Sequence, residues 1–209
     1  MTKRLTDFLQ IEVKPVPRDR VLDDLMLVCM DVQRAYCDPT YSKASGHPKV
    51  LSRMSQTAHK IASVKRDLGA LDIRSAVVHY ATDADAADFD TAGGGAYALD
   101  IAPDDLRLVK TEPSFLSSLS LRRAFDRTRT MIFAGYFLNE CLGASAVDAL
   151  AAQKNVCVLA DCMECSESFD ANQDRKNQIL AAMSDKGAVV CTSDDMIDFL
   201  RREMACEIA

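Results

Sequence analysis

Three residues able to carry out acyl transfer stand where the chain changes character. Asp31 follows the apolar run Leu25-Met-Leu-Val-Cys-Met30, Lys110 follows Arg107-Leu-Val, and Cys141 opens onto the small-residue stretch Leu142–Ala152. A carboxylate directly after an apolar run sits at the edge of a core and needs a partner or a task. The competing reading is a turn or capping aspartate. Lys110 taken alone reads equally as a lysine snorkelling to water. Cys141 falls in the predicted first turn of a helix, where unpaired N–H groups and the helix dipole favour a thiolate and could hold an oxyanion. A buried structural cysteine competes with that reading. Brought to one edge of a sheet, a carboxylate, an ammonium and a thiol are the parts of a nucleophilic hydrolase.

Other polar groups are less specific. His79 and Asp161 also end predicted strands, His79 as a core-edge histidine and Asp161 as a group that caps or orients the next segment. His47 and His59 have no matching partners. Cys162-Met-Glu-Cys165 is a C-x-x-C without a second pair or a thioredoxin-like context, so reduced structural or pocket-rim thiols are expected. Gly93-Gly-Gly95 lacks the spacing of a dinucleotide fingerprint. Tyr36 and Phe115 flank the reactive segments and, with His79, are read as pocket wall.

The elements that must position these groups alternate in type. Strands are expected at Leu25–Met30, Ser75–His79, Arg107–Val109, Thr130–Ala134, Val156–Ala160 and Ala188–Cys191. Helices are expected at Val50–Leu68, Leu119–Phe125, Leu142–Ala152, Gln173–Met183 and Asp194–Met204. Most of the strands are continuously apolar, as a sheet covered on both faces requires. Strands joined by helix-length connections give βαβ units with right-handed crossovers. The expected fold is therefore an α/β/α sandwich on a six-stranded, mostly parallel sheet. In such sheets ligands bind beyond the carboxyl ends of the strands, where Asp31, Lys110 and Cys141 all fall.

Composition bounds the rest. The 209 residues fit one domain over 21–209, preceded by a surface arm over 1–20. With 48% hydrophobic and 27% charged residues the chain resembles an ordinary globular protein. A net charge of −6 without a basic stripe argues against nucleic acid as a partner. No apolar run approaches the roughly 20 residues that span a bilayer. The charged N-terminus is not a secretory signal, so a cytoplasmic protein with its eight cysteines reduced is expected.

Several segments also match a known family in order and spacing. Leu27-Val-Cys-Met-Asp31-Val-Gln33, Lys110-Thr-Glu-Pro-Ser-Phe115, Gly135-Tyr-Phe-Leu-Asn-Glu-Cys141-Leu with Ala146-Val-Asp-Ala149, Val158-Leu-Ala-Asp161 and Gly187–Ser193 together resemble the isochorismatase-like cysteine hydrolases. That family includes nicotinamidases and N-carbamoylsarcosine amidase. The resemblance implies a Rossmann-like fold and a catalytic Asp31, Lys110 and Cys141. It also implies a cis peptide between Tyr136 and Phe137, with an oxyanion hole from the Phe137 and Cys141 N–H groups. It implies a homo-oligomer, a dimer or tetramer, without a cofactor. The expected activity is hydrolysis of a C–N bond in a small amide or carbamoyl substrate through a thioester. Vinyl-ether hydrolysis or a non-catalytic role are the alternatives. Metal-binding relatives carry a histidine pair after the second strand; here the segment reads His79-Tyr-Ala-Thr-Asp83-Ala-Asp85, so no metal site is expected. Substrate choice should rest on the loops Tyr36–Lys49 and Thr82–Asp105.

Overall fold

The strand at Leu25–Met30 (β1) is buried along nearly its whole length, the consequence of an apolar run that presents hydrophobic side chains to both faces. The computed structural model describes residues 24–40, 48–81, 97–166 and 169–206. The expected arm at 1–20, His47, Asp83, Asp85 and Gly93–Gly95 lie outside the described residues. After β1 come α1 (Arg34–Cys37), α2 (Pro48–Gly69), β2 (Ser75–Tyr80), β3 (Leu106–Lys110), a 3-10 turn at Phe115–Ser117 and α3 (Leu119–Ala124). Next are β4 (Thr130–Tyr136), α4 (Cys141–Ala151), β5 (Asn155–Glu164), α5 (Phe169–Asp185), β6 (Val189–Cys191) and α6 (Ser193–Cys206).

All six strands are parallel, in the order β3-β2-β1-β4-β5-β6. The chain starts in the middle, winds outward to β3, then crosses back to β4. β1 and β4 therefore flank the point where the winding direction reverses, which is where open α/β sheets open a crevice. Alternate strand residues serve two cores. Leu27, Cys29, Ile132 and Leu159 pack beneath α2 and α6, with Met54, Ala58, Ile61 and Leu68 from α2 at helical spacing. Met26, Val28, Met131 and Phe133 face α4 and α5, meeting Leu142, Ala146, Leu180 and Met183. The three-layer arrangement follows from that division.

Two elements depart from expectation. β3 is an edge strand whose Arg107 and Val109 are exposed, so it alternates where the inner strands do not. β5 runs to Glu164, past the expected end, because its register with β4 shifts between Phe133 and Gly135 and adds residues on the β5 side.

Candidate active site

Asp31 is the first residue beyond β1. Its backbone takes φ 54, a left-handed conformation that aspartate tolerates better than most residues. The turn is held by Asp31 N–H donating to Val78 O at 2.8 Å and by Gln33 N–H donating to Asp31 O at 2.9 Å. The carboxylate is thereby turned inward, and the residue has 0% exposure. Lys110 ends β3 and is 1% exposed, so it does not snorkel to water. Its Nζ lies 3.2 Å from Asp31 Oδ2, an ion pair rather than a well-directed hydrogen bond. The same Nζ stands 4.4 Å from the centroid of the Tyr80 ring.

Cys141 begins α4 and is partly exposed. Its thiol feels both charges of the buried pair. The expectation of a thiol acidified by the helix terminus is not met. Burial, and then the Asp31 carboxylate, push the Cys141 thiol up, while Lys110 only partly opposes them. Burial also raises Asp31 above the ordinary carboxylate range, against the pull of Lys110, the Cys141 thiol and the Tyr80 backbone. Both groups therefore hold a proton more tightly than they would in water.

The segment linking β4 to α4 brings the thiol to Asp31. Gly135 pairs with Met30 and has φ 139; a Cβ there would stand 2.1 Å from Met30 O. Only glycine allows β4 to approach the end of β1 so closely. Gly143 plays the matching part in α4, where a Cβ would meet Leu138 O at 2.3 Å. The expected cis bond between Tyr136 and Phe137 is corrected: no cis peptide occurs among the described residues. The chain reverses through Phe137, whose backbone takes φ 59. Phe137 O accepts from Glu140 N–H and Leu142 N–H, and Leu138 N–H donates to Glu164 O. Among the described residues, the Phe137 and Cys141 N–H groups donate to no backbone carbonyl.

Residues the sequence reading did not single out hold these pieces. Gln33 clamps Tyr80, accepting its N–H at Oε1 (3.1 Å) and donating from Nε2 to its carbonyl (3.4 Å). Ser145, fully buried one turn beyond Cys141, donates to Cys141 O at 2.9 Å and accepts the Phe115 N–H at 3.3 Å. It ties the lysine segment to the cysteine helix, and its i, i+4 spacing from Cys141 was the available signal. Nothing in one sequence signals Tyr80, since strand register alone sets it opposite Lys110.

The remaining candidates divide. Tyr36 meets Phe137 edge-on, ring centroids 4.8 Å apart, beside the β4–α4 segment. His79 Nδ1 lies 2.6 Å from Tyr97 Oη. Phe115 is corrected from pocket wall to core: it has 0% exposure and packs on Phe125 and Phe133, because the 3-10 turn folds its ring under the sheet. Asp161 caps α6, accepting from Ser193 N–H and Oγ–H at 2.8 Å each. Cys162 and Cys165 are buried, and burial pushes the Cys162 thiol up to about 12. His59 is exposed, its Nδ1 2.8 Å from Ser55 O. No described helix is long and apolar enough to cross a membrane.

A family model for the isochorismatase domain matches residues 25–195. Solved structures with the same fold include a cysteine hydrolase from Pseudomonas syringae pv. phaseolicola 1448A, at 18% identity and TM-score 0.68, covering 91% of this chain and 99% of that one. An isochorismatase family protein from Desulfovibrio vulgaris subsp. vulgaris str. Hildenborough is 22% identical, with TM-score 0.67 and coverages of 85% and 98%. N-carbamoylsarcosine amidase from Thermoplasma acidophilum is 15% identical, with TM-score 0.62 and coverages of 82% and 97%. No curated protein matches by sequence.

Proposed function

The chain belongs to the isochorismatase family, and from that premise we propose that it hydrolyses a C–N bond of a small amide or carbamoyl compound, with Cys141 as nucleophile. The observation that carries this reading is the buried Asp31–Lys110 pair beside the one partly exposed thiol that feels both of its charges. Asp31 takes the Sγ proton as sulfur attacks the carbonyl carbon, forming the C–S bond and an oxyanion. The Phe137 and Cys141 N–H groups are the available donors for that oxyanion. Collapse breaks the C–N bond, and the amine leaves with the proton from Asp31. Water then adds to the thioester, giving its proton to Asp31, and the acid departs as Cys141 recovers its thiol. Lys110 offsets the charge of Asp31 throughout. The edge-on Tyr36–Phe137 pair stands beside the Cys141 segment, where a small substrate would be met.

The test is limiting iodoacetamide followed by intact mass, then a panel of small carboxamides and carbamoyl compounds with hydroxylamine to trap a thioester. One fast label, lost in Cys141→Ala and slowed in Asp31→Asn, is expected. At least about a 1000-fold loss of hydrolysis in Cys141→Ala should accompany it. Labelling spread over several cysteines and unchanged in Cys141→Ala would overturn the nucleophile.

A further inference from the structure

Lys110 must be held in one place if a single ammonium is to serve two partners. It is almost fully buried on an edge strand, at 1% exposure. An ammonium has three donor hydrogens, and its approach to Asp31 Oδ2 at 3.2 Å is not a well-directed hydrogen bond. The four-carbon stem of a lysine is flexible, so the contacts of its tip with Asp31 and Cys141 leave the approach of the stem undefined. A second element of the sheet fills that gap.

Tyr80 and Lys110 are direct register partners of β2 and β3, so their side chains leave the sheet on the same face. The Nζ stands 4.4 Å from the ring centroid, within the range where the negative face of a phenol ring attracts a cation. Tyr80 itself is fixed by its neighbours. Gln33 holds its N–H and its carbonyl, and Ala81 N–H donates to Lys110 O at 3.0 Å. Gln33 is bonded in turn to the Asp31 carbonyl. One chain of contacts thus runs from the Asp31 turn through Gln33 and Tyr80 to the lysine.

We infer that Tyr80 is a positioning residue whose ring face holds the Lys110 ammonium between the Asp31 carboxylate and the Cys141 thiol. The inference rests on the hydrolase reading for its purpose, since it assigns a role in activating Cys141. Among the described residues, the groups facing Lys110 are Asp31 just beyond β1, Tyr80 from β2 and Cys141 from α4. His79, the next residue back on β2, turns to Tyr97 instead. The Lys110 charge lowers the pKa of both Asp31 and Cys141. A displaced ammonium should therefore leave the thiol harder to ionise.

The experiment is the rate of Cys141 alkylation by iodoacetamide against pH, read by mass on the Cys141 peptide, in wild type, Tyr80→Leu and Tyr80→Phe. In Tyr80→Leu the midpoint should move up by about one pH unit, about a tenfold smaller thiolate fraction and so a slower reaction at neutral pH. Tyr80→Phe keeps the ring face and should match wild type. A merely structural role would change overall stability without moving the midpoint. An unmoved midpoint in Tyr80→Leu, or an equal shift in Tyr80→Phe, overturns the inference. Tyr80→Met supplies the same comparison if the leucine variant does not fold. Because the midpoint is read on one peptide without substrate, it can fail while amide hydrolysis stands, and the reverse.

Discussion

Replacing Gly135 by alanine should destabilise the fold more than any other single-methyl addition at a described glycine with positive φ, and the structure says by how much. Two costs combine at this position. At φ 139 the backbone is in a region that L residues rarely adopt, which costs about 1–3 kcal/mol. The added Cβ would also stand 2.1 Å from Met30 O and 2.8 Å from Met30 C and N. Those are backbone atoms of a buried central strand, so no side chain can swing aside, and overpacking of this kind costs about another 1–3 kcal/mol. The sum is about 2–6 kcal/mol. At a urea m-value of about 2–3 kcal/mol/M, the midpoint should fall by about 0.7–3 M.

Two other glycines separate the contributions. Gly187 has φ 104 but nothing within 4 Å of a built Cβ, so Gly187→Ala carries the backbone strain without the clash. Gly69 has neither a positive φ nor a near neighbour, so Gly69→Ala should stay within about 0.5 kcal/mol of wild type. The expected order of loss is Gly135, then Gly187, then Gly69, measured by urea denaturation at one pH. Gly135→Ala should further make Cys141 alkylation insensitive to Asp31→Asn, because the clash pushes the end of β4 away from the end of β1. If Gly135→Ala costs no more than Gly187→Ala, the close β1–β4 approach is not what assembles the site.

Lys110→Met should cost about 3–5 kcal/mol at neutral pH, because it strands a buried carboxylate. Adding Asp31→Asn should recover more than half of that loss. Burial already holds Asp31 above its unfolded pKa, and removing Lys110 raises it further. Stability contributed by a raised acid is present below its unfolded pKa and lost as pH rises through the folded one, so the Lys110→Met deficit should shrink on acidification. Urea midpoints at several pH values check this, and a pH-independent deficit would count against the pair. Asp161→Ala removes both cap bonds to Ser193 and should cost about 1–2 kcal/mol, a fall of roughly 3–6 °C by calorimetry, without changing Cys141 alkylation. Ser145→Ala should slow alkylation of Cys141 several-fold and Ser145→Thr should restore it, since threonine keeps the hydroxyl that joins Cys141 O to the Phe115 N–H.

The fold was legible because its signals are local. Most strands announce themselves as apolar runs, and α2 as apolar residues at helical spacing. The edge position of β3 was hidden, because the order of strands depends on which helix crosses which face. Asp31 and Lys110 were visible as charged residues at strand ends and Cys141 as the thiol opening a helix. Their mutual geometry was not. The left-handed turn at Phe137 in place of a cis bond, the core position of Phe115, and the upward push on the Cys141 thiol all depend on neighbours distant in sequence. Tyr80 illustrates the limit best. It reads as an ordinary strand tyrosine until the β2–β3 register places Lys110 over its ring.

The energetics of the buried pair also bear on its purpose. At 3.2 Å, and with an effective dielectric of about 20, the Asp31–Lys110 attraction is about 5 kcal/mol. Removing each ion from water costs several kcal/mol even after relaxation, so the pair contributes little net stability. Met or Leu at both positions would fill the same space without that cost. What hydrophobic replacements cannot supply is a carboxylate whose proton affinity is raised by burial and checked by one cation. Burial pushes the proton affinities of that carboxylate and of the Cys141 thiol in the same direction, upward, while the Lys110 charge opposes both shifts. The burial of Asp31 and Lys110 is thus better explained by the proton transfer proposed for Cys141 than by stability, and the close β1–β4 approach at Gly135 is what the proposed site is built on.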